Sequence, residues 1–202
     1  MLKNPLQEYD LNINRELLIA GIDEAGRGSV FGDVCVALVV LDLSKEYFYI
    51  NDSKKLSANQ RLKALEEIKQ KALYTDVECL SAQVIDEINI LEATKLAMNN
   101  LINRLPKEIS IVLIDHVKIS NPEKQIISIT KGDTLSLSIA AASVLAKVHR
   151  DALMDFYDFI YPQYGLKKHK GYLTTQHYEN LLKFGRSPLH RQSFRYLKDE
   201  NR

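Results

Sequence analysis

The sequence predicts an α/β fold in which a mixed β-sheet is covered by helices, on three observations. Two apolar runs near the start follow one another with no helical pattern between them, whereas the later apolar runs alternate with segments of helical spacing. A long Ser/Ala-rich helical stretch, "TLSLSIAAASVLAKVHRDALMDFYDFIY", has side chains small enough to lie close against a sheet. The chain of 202 residues, 46% hydrophobic and 26% charged, suits one globular domain with a small appendage.

In chain order, Leu17 to Ile22 reads as the first strand and Asp33 to Asp42, rich in Val, as the second. "YFYI", Tyr47 to Ile50, is a further short strand candidate. A helix is expected from Ser57 to Leu73, with Ser57 as its N-cap and Leu62, Leu65, Ile68 and Leu73 near helical spacing. Val77 to Ala82 reads as a strand, and Gln83 to Leu105 as one helix ended by Pro106. Ile109 to His116 and Gln125 to Thr130 complete five clear strands, and the long helix opens after Lys131-Gly132-Asp133. The appendage begins near Tyr161-Pro162.

There is no run of about 18 uncharged apolar residues, and the polar start "MLKNPLQEYD" lacks the apolar stretch of a secretion signal. A cytoplasmic protein without membrane attachment is expected. Cys35 and Cys79 form neither a zinc motif nor a disulfide framework, so both are expected to be reduced packing residues. The net charge of +1 hides an asymmetry: residues 165–202 carry nine Lys/Arg against three Asp/Glu. A basic tail on a mildly acidic body can hold a phosphate backbone locally; it reads equally as a solvated helical tail.

Four acids stand where strands end or a helix begins: Asp23 and Glu24 at the end of the first strand, Asp115 closing "IVLID", and Asp133 at the mouth of the long helix. If the strands of Asp23 and Asp115 are neighbours, three or four oxygen ligands meet on one rim, the donor set that Mg2+ takes. Each acid alone reads equally as a solvated strand end, and Asp133 as an N-cap for a helix starting at Thr134. Adjacent strand side chains point to opposite faces, which makes Asp23 a better ligand candidate than Glu24. Gly26-Arg27-Gly28 is either a tight turn or a place where main chain approaches a ligand closely, with Arg27 offering charge to a phosphate.

Together "GIDEAGRG", "DSKKLS" at Asp52 to Ser57, "KGD" at Lys131 to Asp133, "SIAAASVLAKVHRD" at Ser138 to Asp151 and "YPQYGLKKHKGYLTTQHY" at Tyr161 to Tyr178 resemble bacterial type 2 ribonuclease H (ribonuclease HII). The resemblance runs from about residue 17 to about residue 195. It implies a ribonuclease-H-like fold with a five-stranded mixed sheet flanked by helices and a small helical C-terminal region. On this basis residues 1–160 would be the catalytic domain and 161–202 a basic region contacting nucleic acid. It further implies hydrolysis of RNA in RNA/DNA hybrids and cutting 5′ of single ribonucleotides in duplex DNA, leaving 3′-hydroxyl and 5′-phosphate ends. The implied catalytic and metal-binding acids are Asp23, Glu24, Asp115 and Asp133, serving Mg2+ or Mn2+. The implied substrate contacts are Gly26, Arg27 and Gly28 at the 2′-hydroxyl, Tyr172 on the sugar of the following deoxynucleotide, and Lys54 on a phosphate. A monomer is expected.

The chain departs from the family's pattern at Ser29 and Asp33, where prolines are common, and a looser or differently charged loop is expected there. His116 stands where glycine is usual and reads as a loop histidine; Asp151 reads as a structural carboxylate; His149, His169, His177 and His190 read as packing or phosphate contacts. Two-metal phosphodiester hydrolysis follows as the expected mechanism, with Asp23 shared between ions. The rivals are a junction resolvase on the same fold, a hybrid-binding protein without turnover, and a carboxylate-pair glycosidase.

Overall fold

The computed structural model describes residues 4–13 and 18–195. The first strand's Leu17 and the tail's residues 196–202 lie outside the described residues. Five strands form one sheet: β1 (Ile19–Ala25), β2 (Val34–Leu41), β3 (Ala72–Leu80), β4 (Ile111–Asp115) and β5 (Gln125–Ile129). Their order is β3-β2-β1-β4-β5. β1–β2 and β2–β3 pair antiparallel, while β1–β4 and β4–β5 pair parallel, so the sheet is mixed as expected. The two central strands β1 and β2 are buried almost throughout, which is why they read as continuous apolar runs.

The strand period of two divides the core. Ala20, Ile22, Val36, Leu38 and Val40 face one way and pack on Ala97, Met98 and Leu101 of α4 (Ile90–Arg104). On the other face Val39 and Leu41 meet α2 (Ala58–Lys71) and the Ala-rich half of α5 (Leu137–Ile160). Gly21 permits the closest approach, since a Cβ there would lie 2.1 Å from the backbone of Ser138. An additional helix not anticipated from the polar start, α1 (Pro5–Ile13), docks through buried Asp10, whose Oδ2 accepts from the N–H and hydroxyl of Ser138 at 2.8 Å. A carboxylate at the first turn of α5 is favoured by the helix dipole.

Several local expectations are corrected. Tyr47 to Ile50 is not a strand: the N–H groups of Phe48 and Tyr49 donate to the carboxylate of buried Glu67 rather than to a neighbouring strand. Ser57 caps α2 as expected, in a capping box with Gln60, but Leu62 is exposed and Leu73 belongs to β3, which starts at Ala72, directly where α2 stops. The single helix expected from Gln83 to Leu105 is two, α3 (Ala82–Ile88) and α4, because Asn89 takes φ 66° and its side chain caps α4 through Leu91 and Glu92. Asp133 does not cap the long helix; it sits in a 3-10 turn, Gly132–Thr134, and Ser136 is the N-cap of α5.

Cys35 and Cys79 are not reduced packing residues but a disulfide with a Cα–Cα distance of 4.1 Å. The β2–β3 register puts them directly opposite each other. The same register runs from Val34 opposite Leu80 to Val40 opposite Tyr74, so β3 begins well before the expected Val77.

Beyond α5 the chain forms a 3-10 turn (Pro162–Tyr164), α6 (Leu166–His169) and α7 (Thr175–Phe184). Tyr164, Leu166 and Leu181 pack on Phe31 and on Met154 of α5. No helix among the described residues is long and apolar enough to cross a membrane.

Candidate active site

The parallel pairing of β1 with β4, last registered at Ile22 opposite Ile114, brings the next residues, Asp23 and Asp115, to one edge of the sheet. The turn after β5 swings Asp133 in beside them. One carboxylate oxygen from each of Asp23, Asp115 and Asp133 lies within 4.8 Å of the others. Asp23 and Asp133 are buried, and Asp115 is partly exposed. Asp115 is steered by the N–H of Gly132, which donates to its Oδ1 at 2.7 Å. Lys54 donates from Nζ to Asp133 at 2.8 Å while most of its side chain stays exposed.

Glu24 lines the same cleft but stands outside the three-acid group, as strand alternation requires. Its Oε1 meets Arg27 at 3.4 Å, and its buried Oε2 has no hydrogen-bond partner among the described residues. Burial is the main cause that raises the carboxyls of Asp23, Glu24 and Asp115 above their usual range. For Asp23 the charges of Glu24, Asp115 and Asp133 add to it, while Arg27 offsets part of the rise at Glu24. Acids that oppose each other's ionisation and converge within a few ångströms fit a divalent cation, whose charge relieves the repulsion.

The acids open into a cleft of about 450 Å³ that is also lined by Gly26, Arg27, Gly28, Lys54 and Tyr172. Every candidate residue except Asp133 lines this one cleft, and buried Asp133 meets it from behind through Asp23, Asp115 and Lys54. Gly26 has φ 97°, and a Cβ there would lie 1.9 Å from Nε of Arg150, so no larger residue fits. Arg150 is fully buried; Nη1 donates to the carbonyl of Lys170 at 2.8 Å and Nη2 to Oγ of Ser29 at 2.7 Å. Tyr172 is about two-fifths exposed, with Arg150 5.5 Å and Lys147 5.9 Å from its ring centre, and its ring approaches the open side of Gly28.

Sequence reasoning overlooked Ser53, Arg61, Ser143 and Lys147, which also line the cleft. Helical spacing in "AKVHRD" is the signal that places Lys147 on the same face as Asp151, its 2.7 Å ion-pair partner. That pair is the setting of Asp151, apart from the acid cluster. The loop at Ser29 is tight rather than loose: Ser29 is fully buried, with Oγ 2.8 Å from the carbonyls of Phe31 and Gly171. Asp33 does not line the cleft; its hydrogen-bond partner is Tyr157. His116 has φ 56° and donates its N–H to Ile129 at 3.0 Å, a left-handed position that explains why glycine suits it.

The model of the family described as Ribonuclease HII matches residues 20–197. Ribonuclease HII of Ruminiclostridium cellulolyticum is 51% identical over 87% of this chain and 69% of its own length. That of Acholeplasma laidlawii is 49% identical over 87% of this chain and 86% of its own. Among solved structures, a chain of the PCNA:RNase HII complex from Archaeoglobus fulgidus superposes with a TM-score of 0.76 at 27% identity, covering 90% of this chain and 97% of that one. Ribonuclease H2 of Pyrococcus horikoshii gives 0.71 at 25% identity, covering 88% and 94%. With these matches across nearly the whole chain, on the strand order and acid cluster described above, this protein belongs to the ribonuclease HII family and is an endoribonuclease of the ribonuclease H type.

Proposed function

We propose that the protein hydrolyses RNA in RNA/DNA hybrids and also cuts 5′ of single ribonucleotides embedded in duplex DNA, leaving 3′-hydroxyl and 5′-phosphate ends. The observation that carries this is the meeting of three carboxylates within 4.8 Å, two of which, Asp23 and Asp115, line the cleft that also holds Gly26, Arg27, Gly28 and Tyr172. Asp23, Asp115, Asp133 and Glu24 would hold two Mg2+ or Mn2+ ions, with Asp23 shared because it is the acid that feels the other three. Bound there, such ions supply Lewis-acid activation of water and stabilisation of the leaving oxygen.

The remaining work falls to the chain's own groups. Arg27 and Lys54 carry positive charge at the cleft's mouth and hold the flanking phosphates. The main chain of Gly26 to Gly28, free of Cβ at both glycines, reaches the 2′-hydroxyl that distinguishes a ribonucleotide. Tyr172 offers an apolar ring face to the next sugar, a contact indifferent to base identity. In the same reading residues 1–160 are the catalytic domain and 161–202 a basic helical region that contacts nucleic acid.

The test is cleavage of matched hybrid and all-DNA duplexes with Mg2+ and with EDTA. Cleavage of the hybrid alone, abolished by EDTA, is the expected result. Cleavage of all-DNA duplex would instead point to a junction-resolving type of nuclease, and activity in EDTA would remove the metal assignment.

A further inference from the structure

Behind the cleft, the two substrate-recognition elements are joined by a closed ring of hydrogen bonds. The chain leaving Gly28 is held on one side by Val30, whose N–H donates to Gly171 at 3.1 Å. On its other side Arg191 donates its N–H to Val30 at 3.0 Å, and Gly32 donates to Leu189 at 2.8 Å. The guanidinium of Arg191 then grips the turn itself, Nε to the carbonyl of Gly32 and Nη1 to that of Arg27, both at 2.9 Å.

Two histidines close the ring. His177 on α7 has Nδ1 3.0 Å from the carbonyl of Tyr172 and Nε2 3.2 Å from Nε2 of His190. His190 in turn has Nδ1 2.8 Å from the N–H of Ser187. Both imidazoles are fully buried.

Chemistry fixes the direction of this chain. A carbonyl only accepts, so the proton of His177 is on Nδ1 and its Nε2 is the acceptor; His190 donates from Nε2 and accepts the Ser187 N–H at Nδ1. Both rings must be neutral, since a second proton on either would set two N–H groups against each other. Burial supplies that condition, pushing His177 down to about 4 and His190 to about 3.

We propose that His177 and His190 are positioning residues for ribonucleotide recognition: their ring-to-ring hydrogen bond sets where the Tyr172 turn stands relative to Gly26–Gly28. The proposal rests on the assignment of those two elements to the substrate made above. Neither histidine lines the cleft; they act through Tyr172 and through the segment that Arg191 anchors. No local pattern marks the pairing, because the two rings are 13 residues apart on separate local structures.

The test measures kcat/KM on a duplex with one embedded ribonucleotide and on a continuous hybrid. His177→Asn keeps an amide for the Tyr172 carbonyl, and His190→Asn keeps an acceptor for Ser187, but neither side chain reaches across to its partner. Each is expected to lower the embedded-to-hybrid ratio by about 5-fold, within the coupling range of residues in one hydrogen-bond network. In a Tyr172→Ala background the same substitutions are expected to change the ratio by less than about 2-fold, because the ring they position is gone. His190→Gln restores an amide at the Nε2 position and is expected to hold the ratio near the wild-type value even if the Asn variants fold poorly. Equal losses on both substrates, an undiminished effect in the Tyr172→Ala background, or a 5-fold fall in His190→Gln would overturn the proposal. Wild-type protein unable to cut at the embedded ribonucleotide, or a Tyr172→Ala ratio equal to wild type, would defeat the substrate assignment and this proposal with it.

Discussion

Asp23 and Asp115 each follow immediately on a registered pair, Ile22 and Ile114, of two parallel neighbouring strands. Two carboxylates are thus fixed at one sheet edge by backbone pairing alone, with Asp133 brought in by a turn whose Gly132 N–H is bound to Asp115. A site built this way costs the empty protein stability, because the acids repel one another in a partly dehydrated cleft.

That cost gives the first prediction. The Asp23 carboxyl is raised by burial first and by neighbouring acids second, so the unfolded chain ionises at a lower pH than the folded one. Its contribution favours folding most near and below the ordinary value of 3.8 and is lost as pH rises through the folded value. Asp23→Asn should therefore raise the Tm of the metal-free protein at pH 7, lower the Tm gain on adding Mg2+, and reduce turnover by roughly 10²-fold or more. Calorimetry with a cleavage assay checks both halves; an unchanged metal-free Tm would contradict the repulsion argument.

Tyr172→Ala should cost roughly 10-fold on a single embedded ribonucleotide, the scale of one lost ring contact, and less on a continuous hybrid. Its ring is partly exposed and outside every buried cluster, so Tm should hardly move. A large fall in Tm would make it a packing residue.

The basic tail is only partly free to meet phosphate. Lys170 is ion-paired to Asp155, whereas Lys167 and Lys168 are exposed. Neutralising Lys167 and Lys168 together should flatten the salt dependence of duplex affinity by about 2 in log–log slope while leaving the rate on bound substrate nearly unchanged. An unaltered slope in a titration from low to moderate salt would make this face a solubility feature.

Stability should also fall on mild acidification. Burial depresses His177 and His190 to about 4 and about 3, from an ordinary 6.5. The unfolded chain binds protons that the folded one refuses, so their contribution is full above about pH 6.5 and is lost as pH falls toward those values. His169, stacked on His177, and Arg186 near His190 add positive charge that works in the same direction. A double His177→Asn, His190→Asn variant should show a flatter Tm profile between pH 7 and pH 4.5 than wild type. Parallel profiles would contradict the assignment.

The strands and acids were legible because β1, β2 and β4 are buried on both faces and read as unbroken apolar runs ending in Asp. Motif resemblance supplied Tyr172 and Lys54, which no periodicity could place. What escaped depended on tertiary partners. Tyr47 to Ile50 has strand composition, yet Glu67 takes its amides. The Cys35–Cys79 bond depends on the cross-strand register of β2 and β3, which brings together residues 44 apart in the chain. Asn89 breaks a continuous helical pattern with one left-handed residue, and the network through Arg150, Arg191, His177 and His190 is polar, where hydrophobic patterning carries no signal.

The most direct test of the account is cleavage-site mapping on a DNA duplex carrying one ribonucleotide, with Mg2+, against the same duplex without it. A single cut on the 5′ side of the ribonucleotide, leaving 3′-hydroxyl and 5′-phosphate ends and absent from the all-DNA control, is the predicted result. A cut at any other phosphate, the opposite end chemistry, or equal cleavage of the control would contradict the reading that Gly26–Gly28 and Tyr172 place a ribonucleotide over Asp23, Asp115 and Asp133.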